Sequence, residues 1–147
     1  MKRVEWKPEG LVVLGFYDGV TECFFRRLGG LGPGYLTLIA WDENQNQRLF
    51  AGVYITLDMY NSVTQLLGSN EWPDCQSFSP ATRAAIDEII VTCRASLVSE
   101  GWLMMVADFE SQSERLLISG QMAEAVERAL LEPENIANWT QYTALCE

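Results

Sequence analysis

Residues 11 to 28, LVVLGFYDGVTECFFRRL, consist of two apolar runs joined by the dipeptide Asp18-Gly19. An Asp-Gly pair between apolar runs favours a tight type I′ β-hairpin, because both of its residues tolerate a positive φ angle. This is the clearest local signal in the chain, and it predicts strands over residues 11 to 17 and 20 to 28. An antiparallel hairpin near the amino terminus is therefore expected to start the fold.

Two further apolar runs, at residues 35 to 41 and 48 to 57, flank the polar segment DENQNQ and predict a second hairpin. An extra edge strand is expected near residues 3 to 6. Period-two alternation places the aliphatic residues of each hairpin strand on one face of the sheet. These residues are Leu36, Leu38 and Ala40 in the earlier strand and Leu49, Ala51, Val53, Ile55 and Leu57 in the later strand. One sheet face is therefore apolar and must be covered.

Helices are expected to provide that cover. The pair Ser79-Pro80 is typical of a helix start, since serine caps free amides and proline at the first helical position needs no partner for its nitrogen. The pattern predicts a helix over residues 80 to 100 that ends at Gly101. The residues expected to face inward are Ile86, Ile89, Ile90, Cys93 and Leu97, and those expected to face outward are Arg83, Asp87, Arg94 and Glu100.

Shorter elements are predicted on both sides of this helix. One helix is expected over residues 59 to 67, capped by Asp58, and another over about residues 121 to 132. The run WLMMVADF at residues 102 to 109 is interpreted as a strand. Residues 111 to 119 leave two alternatives, because SQSE resembles a helical capping box and RLLIS resembles a strand.

Together these elements predict one α+β domain that spans residues 1 to 147. Its sheet is largely antiparallel and is built from the two amino-terminal hairpins plus one or more later strands, with two to four helices covering one face. The length of the chain and its 48% content of hydrophobic residues suffice for a buried core without disulfides.

Charge is unevenly distributed along the chain, whose formal net charge is −10. Residues 1 to 50 contain six basic and six acidic side chains, whereas residues 51 to 147 contain four arginines and fourteen acidic side chains. Nucleic-acid binding relies on Lys and Arg displacing counterions, so this balance argues against nucleic acid and is compatible with a basic protein partner. No run approaches the roughly 18 apolar residues of a membrane span, so no membrane partner is expected.

The four cysteines, Cys23, Cys75, Cys93 and Cys146, include no C-x-x-C pair, and the chain has no histidine to complete a zinc site. We interpret them as reduced thiols, with Cys23 and Cys93 buried within apolar patterns. The amino terminus has no secretion-signal pattern. These observations predict a cytoplasmic protein.

The absence of histidine, and of lysine after Lys7, removes several chemistries. Catalytic triads with an imidazole base and histidine metal sites are excluded, and lysine Schiff bases are almost excluded. Proton transfer would rely on Asp, Glu, Tyr or Cys alone. Aspartates at predicted strand ends (Asp18, Asp42, Asp58 and Asp108) are explained by turn and cap roles, so no metal and no cofactor is expected. The composition favours binding over catalysis.

The segment RRLGGLGPGYL, residues 26 to 36, combines two arginines with four glycines. A phosphate-binding glycine loop leads into a helix, whereas this segment leads into a predicted strand. Its glycine spacing also matches neither of the phosphate-binding patterns G-x-G-x-x-G and G-x-x-x-x-G-K-[ST]. It is therefore interpreted as a connector between the hairpins. A weaker hypothesis is that Arg26 and Arg27, on opposite faces of the strand, place one guanidinium beside the loop to hold a small anion.

Aromatic residues near the predicted strand ends indicate a possible ligand pocket, although core packing is the simpler explanation. The candidate ligand-binding residues are Tyr17, Arg26, Arg27, Tyr35, Trp41 and Trp102.

Two functions follow as hypotheses. The first is a small cytoplasmic accessory protein that binds another protein through its acidic surface, or forms a homodimer through exposed strand edges. The alternative is a domain that binds a small anionic or aromatic ligand, with carboxylate-dependent catalysis as an extension of that role.

Overall fold

The structure is a computed structural model that describes residues 2–16, 19–42, 47–67, 79–107 and 111–117, together with Glu124, Val126 and Glu127. Within these residues the chain forms an α+β fold with two antiparallel sheets and two helices. The strands are β1 (Lys2–Glu5), β2 (Pro8–Glu9), β3 (Val12–Phe16), β4 (Val20–Phe25), β5 (Arg27–Leu28), β6 (Gly34–Asp42), β7 (Gln47–Tyr54), β8 (Trp102–Ala107) and β9 (Ser111–Leu117). The helices are α1 (Leu57–Leu67) and α2 (Pro80–Glu100).

The larger sheet has seven strands in the order β1-β9-β8-β7-β6-β4-β3. Every neighbouring pair in it is antiparallel. Strands β3 and β4 pair as the first predicted hairpin, and β6 and β7 pair as the second. The predicted α+β class and antiparallel sheet are thus confirmed, while Asp18 of the first turn lies outside the described residues.

The alternative left open at residues 111 to 119 is decided in favour of a strand. Strand β9 pairs with β8 on one side and with β1 on the other, so its backbone groups have partners on both edges. A helix over these residues would leave β1 without a neighbouring strand. The predicted helix over residues 121 to 132 falls mostly outside the described residues. The three described residues in this range, Glu124, Val126 and Glu127, are helical.

Side chains from the two faces of the larger sheet form two cores. The helix-side core contains Phe24, Tyr35, Ala51 and Val53 from the sheet and Val63, Ile86, Cys93 and Leu97 from the helices. The opposite-face core contains Cys23, Phe25, Leu36, Phe50, Trp102 and Met104. Among the described residues, Trp6 and Leu11 pack against this second core.

The prediction that Leu36, Leu38 and Ala40 share one face of the sheet is wrong for Ala40. Leu36 belongs to the opposite-face core and Leu38 packs against it, whereas Ala40 belongs to the helix-side core together with Ile39. The pairing register of β6 and β7 shifts between Leu38 and Ala40. Such a bulge adds one residue to a strand and reverses the alternation beyond it, which is the physical reason for the difference.

The two helices begin at hydroxyl caps. Ser79 caps α2 as predicted, because its side chain accepts a hydrogen bond from the Thr82 amide at 3.2 Å. Helix α1 is capped by Thr56 rather than by the predicted Asp58, since Thr56 Oγ1 accepts from the Met59 amide at 3.1 Å. The helix therefore begins two residues earlier than expected, at Leu57. Strand β7 ends at Tyr54, so the predicted strand over residues 48 to 57 is too long, and Ile55 and Leu57 do not belong to its apolar face.

Candidate functional site

The two predicted arginines line one cleft beside the glycine-rich segment. We call this feature the arginine cleft; its volume is about 410 Å³, and it is lined by Glu9, Arg26, Arg27, Gly32, Pro33 and Leu57. Both arginine side chains are exposed, and the Leu57 side chain forms an apolar wall with 50% of its surface exposed. The cleft therefore combines cationic, acidic and apolar groups around one opening.

The expectation that Arg26 and Arg27 lie on opposite faces of one strand is wrong. Strand β4 ends at Phe25 and β5 begins at Arg27, so Arg26 occupies a bend between two strands. Strict alternation holds only within a continuous strand. The bend is the reason that Arg26 and Arg27, although adjacent in sequence, both line the same cleft.

Main-chain hydrogen bonds hold the walls of the arginine cleft together. The Arg26 amide donates to the Glu9 carbonyl at 3.0 Å, and Glu9 lies opposite Arg27 in the antiparallel pair of β2 and β5. Leu28 and Leu31 exchange two hydrogen bonds of 3.1 and 2.9 Å that close the glycine turn. The Ile55 amide donates to the Pro33 carbonyl at 3.0 Å. The segment before β6 is thereby attached to the chain that leads into α1.

Tyr60 of α1 braces the same region. Its hydroxyl donates to the Gly10 carbonyl at 2.6 Å, and Gly10 has a φ of 64°, which strongly favours glycine. A side chain at residue 10 would also collide with the Tyr60 hydroxyl. Burial raises the pKa of Tyr60, while the charge of Arg26 acts in the opposite direction. This phenol is therefore a neutral hydrogen-bond donor.

The electrostatic character of the arginine cleft differs from that of the chain. Among the residues that line it, Arg26 and Arg27 are positively charged and Glu9 is negatively charged, which leaves one excess positive charge. Within the part of the chain that the structure describes, neither Arg26 nor Arg27 forms an ion pair with a carboxylate. Both guanidinium groups can therefore bind an anion without breaking an existing ion pair.

A second polar feature joins α2 to the sheet, and we call it the Glu22–Tyr35–Arg94 cluster. The Tyr35 hydroxyl donates to Glu22 Oε2, which also accepts from Arg94 Nη2 at 2.8 Å. Arg94 Nε donates to the Tyr35 oxygen at 3.2 Å. The Tyr35 side chain is fully buried, whereas 40% of the Arg94 side chain is exposed. The cluster thus satisfies a buried hydroxyl and ties three elements together.

Burial, followed by the neighbouring Glu22 carboxylate, raises the pKa of Tyr35 far above its ordinary value of 10.0. Burial lowers the pKa of Arg94, but the oxygens of Tyr35 and Glu22 outweigh it and the net change is upward. Arg94 was expected to face outward, and the ion pair with Glu22 corrects this prediction. The missed signal was Glu22, an acidic residue within the apolar run VTECFF that needs a cationic partner when it packs inward.

The structure does not gather the other predicted site residues around the arginine cleft. Trp41 lies beneath the Arg48 guanidinium, whose carbon is 5.0 Å from the ring centroid. Trp102 is buried in the opposite-face core, where it contacts Tyr54 and leaves no space for a side chain on Gly52. Tyr17 lies outside the described residues. Of the five candidates that the structure describes, Arg26 and Arg27 meet at one cleft, while Tyr35 belongs to the Glu22–Tyr35–Arg94 cluster.

The two described cysteines are free and buried, as the apolar patterns predict. Burial, and secondarily the Glu22 charge, raises the pKa of both thiols, that of Cys93 to about 11 and that of Cys23 further. A nucleophilic cysteine requires a thiolate near neutral pH. Cys23 and Cys93 are therefore structural residues.

The helical layer carries a second charged surface, of opposite sign to the arginine cleft. Val126 is fully buried in the same core as Ile86, Cys93 and Leu97 of α2, and the exposed Glu124 and Glu127 lie beside it in the chain. Five exposed carboxylates on α2 and beside Val126, which we call the acidic helical surface, are Asp87, Glu88, Glu100, Glu124 and Glu127. Arg83 is exposed beside them and is bound to Asp87 at 3.4 Å.

The described residues contain no group of three or more histidine, cysteine or acidic side chains arranged to hold a metal ion. No helix among them is long and apolar enough to cross a membrane. No protein-family model, curated protein or solved structure matches this chain.

Proposed function

We propose that this chain is a non-catalytic accessory protein that binds a basic protein partner through the acidic helical surface. The observation that carries the proposal is the charge balance of α2 and of the described residues beside Val126. Five carboxylates are exposed there, whereas the two described arginines on α2 are already bound to Asp87 and Glu22. A surface of one sign steers a partner of the opposite sign and sets the orientation in which it docks.

An exposed aliphatic side chain lies within this acidic surface. Val91 is 67% exposed, and Asp87 and Glu88 lie one helical turn before it on α2. Protein interfaces combine an apolar centre with a polar rim, and Val91 next to two carboxylates has that composition. These residues support a contact centred on the middle of α2.

The state of the potential nucleophiles supports binding rather than catalysis. Burial raises the pKa of Cys23, Cys93 and Tyr35, so each holds its proton at neutral pH. A protonated thiol or phenol in a packed core is a poor nucleophile and a poor general base.

We also propose a cytoplasmic location, because Cys23 and Cys93 are free thiols. Self-association is a further part of the proposal, since β1 and β3 form the edges of the larger sheet. The register of β3 shifts at Gly15, and such irregularity weakens pairing at an edge. We therefore expect β1 to be the edge available to a second copy.

The partner surface can be tested by site-specific crosslinking. A photo-reactive amino acid in place of Val91 should crosslink one discrete protein in cells, which is then identified, purified and titrated against the wild-type chain. Glu88→Lys should weaken that purified complex by about tenfold, because a rim carboxylate is replaced by a charge that repels a basic partner. The affinity of the wild-type complex should also fall as salt is added.

The matched control is Asp58→Lys, which makes the same change of charge at an exposed position on α1 outside the acidic helical surface. It should change the affinity by less than about twofold. Equal losses in Glu88→Lys and Asp58→Lys would contradict a localised acidic contact. The absence of a discrete crosslinked product from residue 91 would contradict the proposal as well.

A further inference from the structure

The arginine cleft has the size and the rigidity of a small-ligand site. Its volume of about 410 Å³ falls within the range of roughly 300 to 1,000 Å³ that such sites occupy. Its walls come from the β2–β5 pair, the glycine turn and the start of α1, and hydrogen bonds such as Ile55 to Pro33 join them. A site held in this way loses little conformational freedom when a ligand binds.

The charged groups of the arginine cleft define the part of a ligand that would bind there. A guanidinium presents two parallel N–H groups that match the two oxygens of a carboxylate. Arg26 and Arg27 both line the cleft, and Glu9 opposite Arg27 reduces the excess to one positive charge. A monoanion neutralises that excess, whereas a dianion would be repelled by Glu9 and by a chain of net charge −10.

The apolar wall defines the remainder of the ligand. Leu57 is half exposed at the first residue of α1, and Pro33 lines the same cleft just before β6. An exposed leucine next to two guanidinium groups favours a molecule that carries an apolar group beside its anionic one.

From this combination we infer that the arginine cleft binds a small monocarboxylate with an apolar tail. Arg26 and Arg27 hold the carboxylate, Leu57 and Pro33 contact the tail, and Glu9 selects against doubly charged anions. The site is separate from the acidic helical surface, so the inference does not depend on the proposed protein partner.

Isothermal titration of the full chain with 4-phenylbutyrate tests the inference. Saturable one-to-one binding is expected in the wild-type chain. Arg26→Gln and Arg27→Gln should each weaken it by about tenfold, because each removes a charge-assisted hydrogen bond to the carboxylate. Arg83→Gln is the matched control, since Arg83 is an exposed arginine on α2 outside the cleft, and it should leave the affinity unchanged.

Three related probes separate the parts of the inference. Acetate and the neutral alcohol 4-phenylbutanol should bind more weakly than 4-phenylbutyrate, since each lacks either the tail or the charge. Phenyl phosphate should bind more weakly in the wild-type chain, and Glu9→Gln should strengthen its binding by removing the repelling carboxylate. All three arginines are exposed, so circular dichroism of each variant should match the wild type.

The inference is overturned if 4-phenylbutyrate fails to bind at millimolar concentration, or if Arg83→Gln weakens binding as much as the two cleft variants do. Tighter binding of phenyl phosphate than of 4-phenylbutyrate would overturn the assignment to monocarboxylates. Equal binding of acetate and 4-phenylbutyrate would overturn the role of Leu57 and Pro33.

Discussion

Tyr35 shows how one residue can have two roles in a fold. Its ring packs against Phe24 with a centroid distance of 5.1 Å, while its hydroxyl is the donor of the Glu22–Tyr35–Arg94 cluster. The aromatic ring contributes apolar burial, and the hydroxyl binds a carboxylate that also holds α2. Loss of the hydroxyl therefore tests the cluster without emptying the core.

We predict that Tyr35→Phe lowers the free energy of unfolding by about 2 kcal/mol, the usual range for a hydrogen bond to a charged group. Urea denaturation of Tyr35→Phe, Glu22→Gln and the double variant measures the coupling between the two side chains. The sum of the two single losses should exceed the loss in the double variant. Additive losses would show that the Tyr35 hydroxyl and Glu22 do not interact.

The same tyrosine predicts a pH dependence. In the unfolded chain Tyr35 loses its proton near pH 10.0, whereas burial and Glu22 keep it protonated in the folded chain. Above that pH the folded state binds one more proton, so the free energy of unfolding falls by up to about 1.4 kcal/mol per pH unit. The cost of Tyr35→Phe, measured by urea denaturation on either side of pH 10.0, should therefore shrink as the pH rises. A cost that stays constant would contradict the raised pKa.

At the scale of elements, α2 depends on its first turn. Ser79 has an extended backbone and accepts a hydrogen bond from the Thr82 amide, and Pro80 follows at the start of the helix. Helix α2 supplies Ile86, Cys93 and Leu97 to the helix-side core. The cap is therefore coupled to the packing of the larger sheet.

We predict that Ser79→Ala lowers the free energy of unfolding by about 1 kcal/mol, because the Thr82 amide loses its acceptor. Ser79→Asp should retain the cap and gain a favourable interaction with the helix dipole. Thermal denaturation of both variants tests this role. The matched control is Ser99→Ala near the other end of α2, which should have little effect. A loss in Ser79→Asp as large as in Ser79→Ala would contradict capping.

At the scale of the whole molecule, charge opposes folding. With a net charge of −10 the folded chain repels itself, and each of its described ion pairs is at least partly accessible to solvent. Raising the salt concentration from about 0.1 M to about 1 M shortens the Debye length from about 10 Å to about 3 Å. We predict that sodium chloride raises the melting temperature by a few degrees at neutral pH.

The control for this prediction is pH itself. Near the isoelectric point of about 4.4 the net charge vanishes, so salt should no longer raise the melting temperature. A decrease with salt at neutral pH would show that ion pairs such as Arg94 to Glu22 outweigh the overall repulsion.

Much of the fold could be predicted because its signals are local. The Asp18-Gly19 pair between apolar runs predicted the first hairpin, and Ser79-Pro80 predicted the start of α2 at its observed position. The inward residues of α2 were also predicted, since Ile86, Cys93 and Leu97 are buried and Ile89 and Ile90 pack against the core. Each of these features depends on residues that are close together in the sequence.

Features that depend on distant partners could not be predicted in this way. A pairing shift between β6 and β7 moved Ala40 to the other face, and the pairing of β9 with both β8 and β1 settled residues 111 to 117. The same holds for the Arg94 ion pair with Glu22, which joins residues 72 positions apart. It also holds for the arginine cleft, where a bend at Arg26 and the first residue of α1 meet. Backbone propensity and short-range periodicity act over a few residues, whereas strand register and side-chain convergence are set by contacts that form only when the chain is folded.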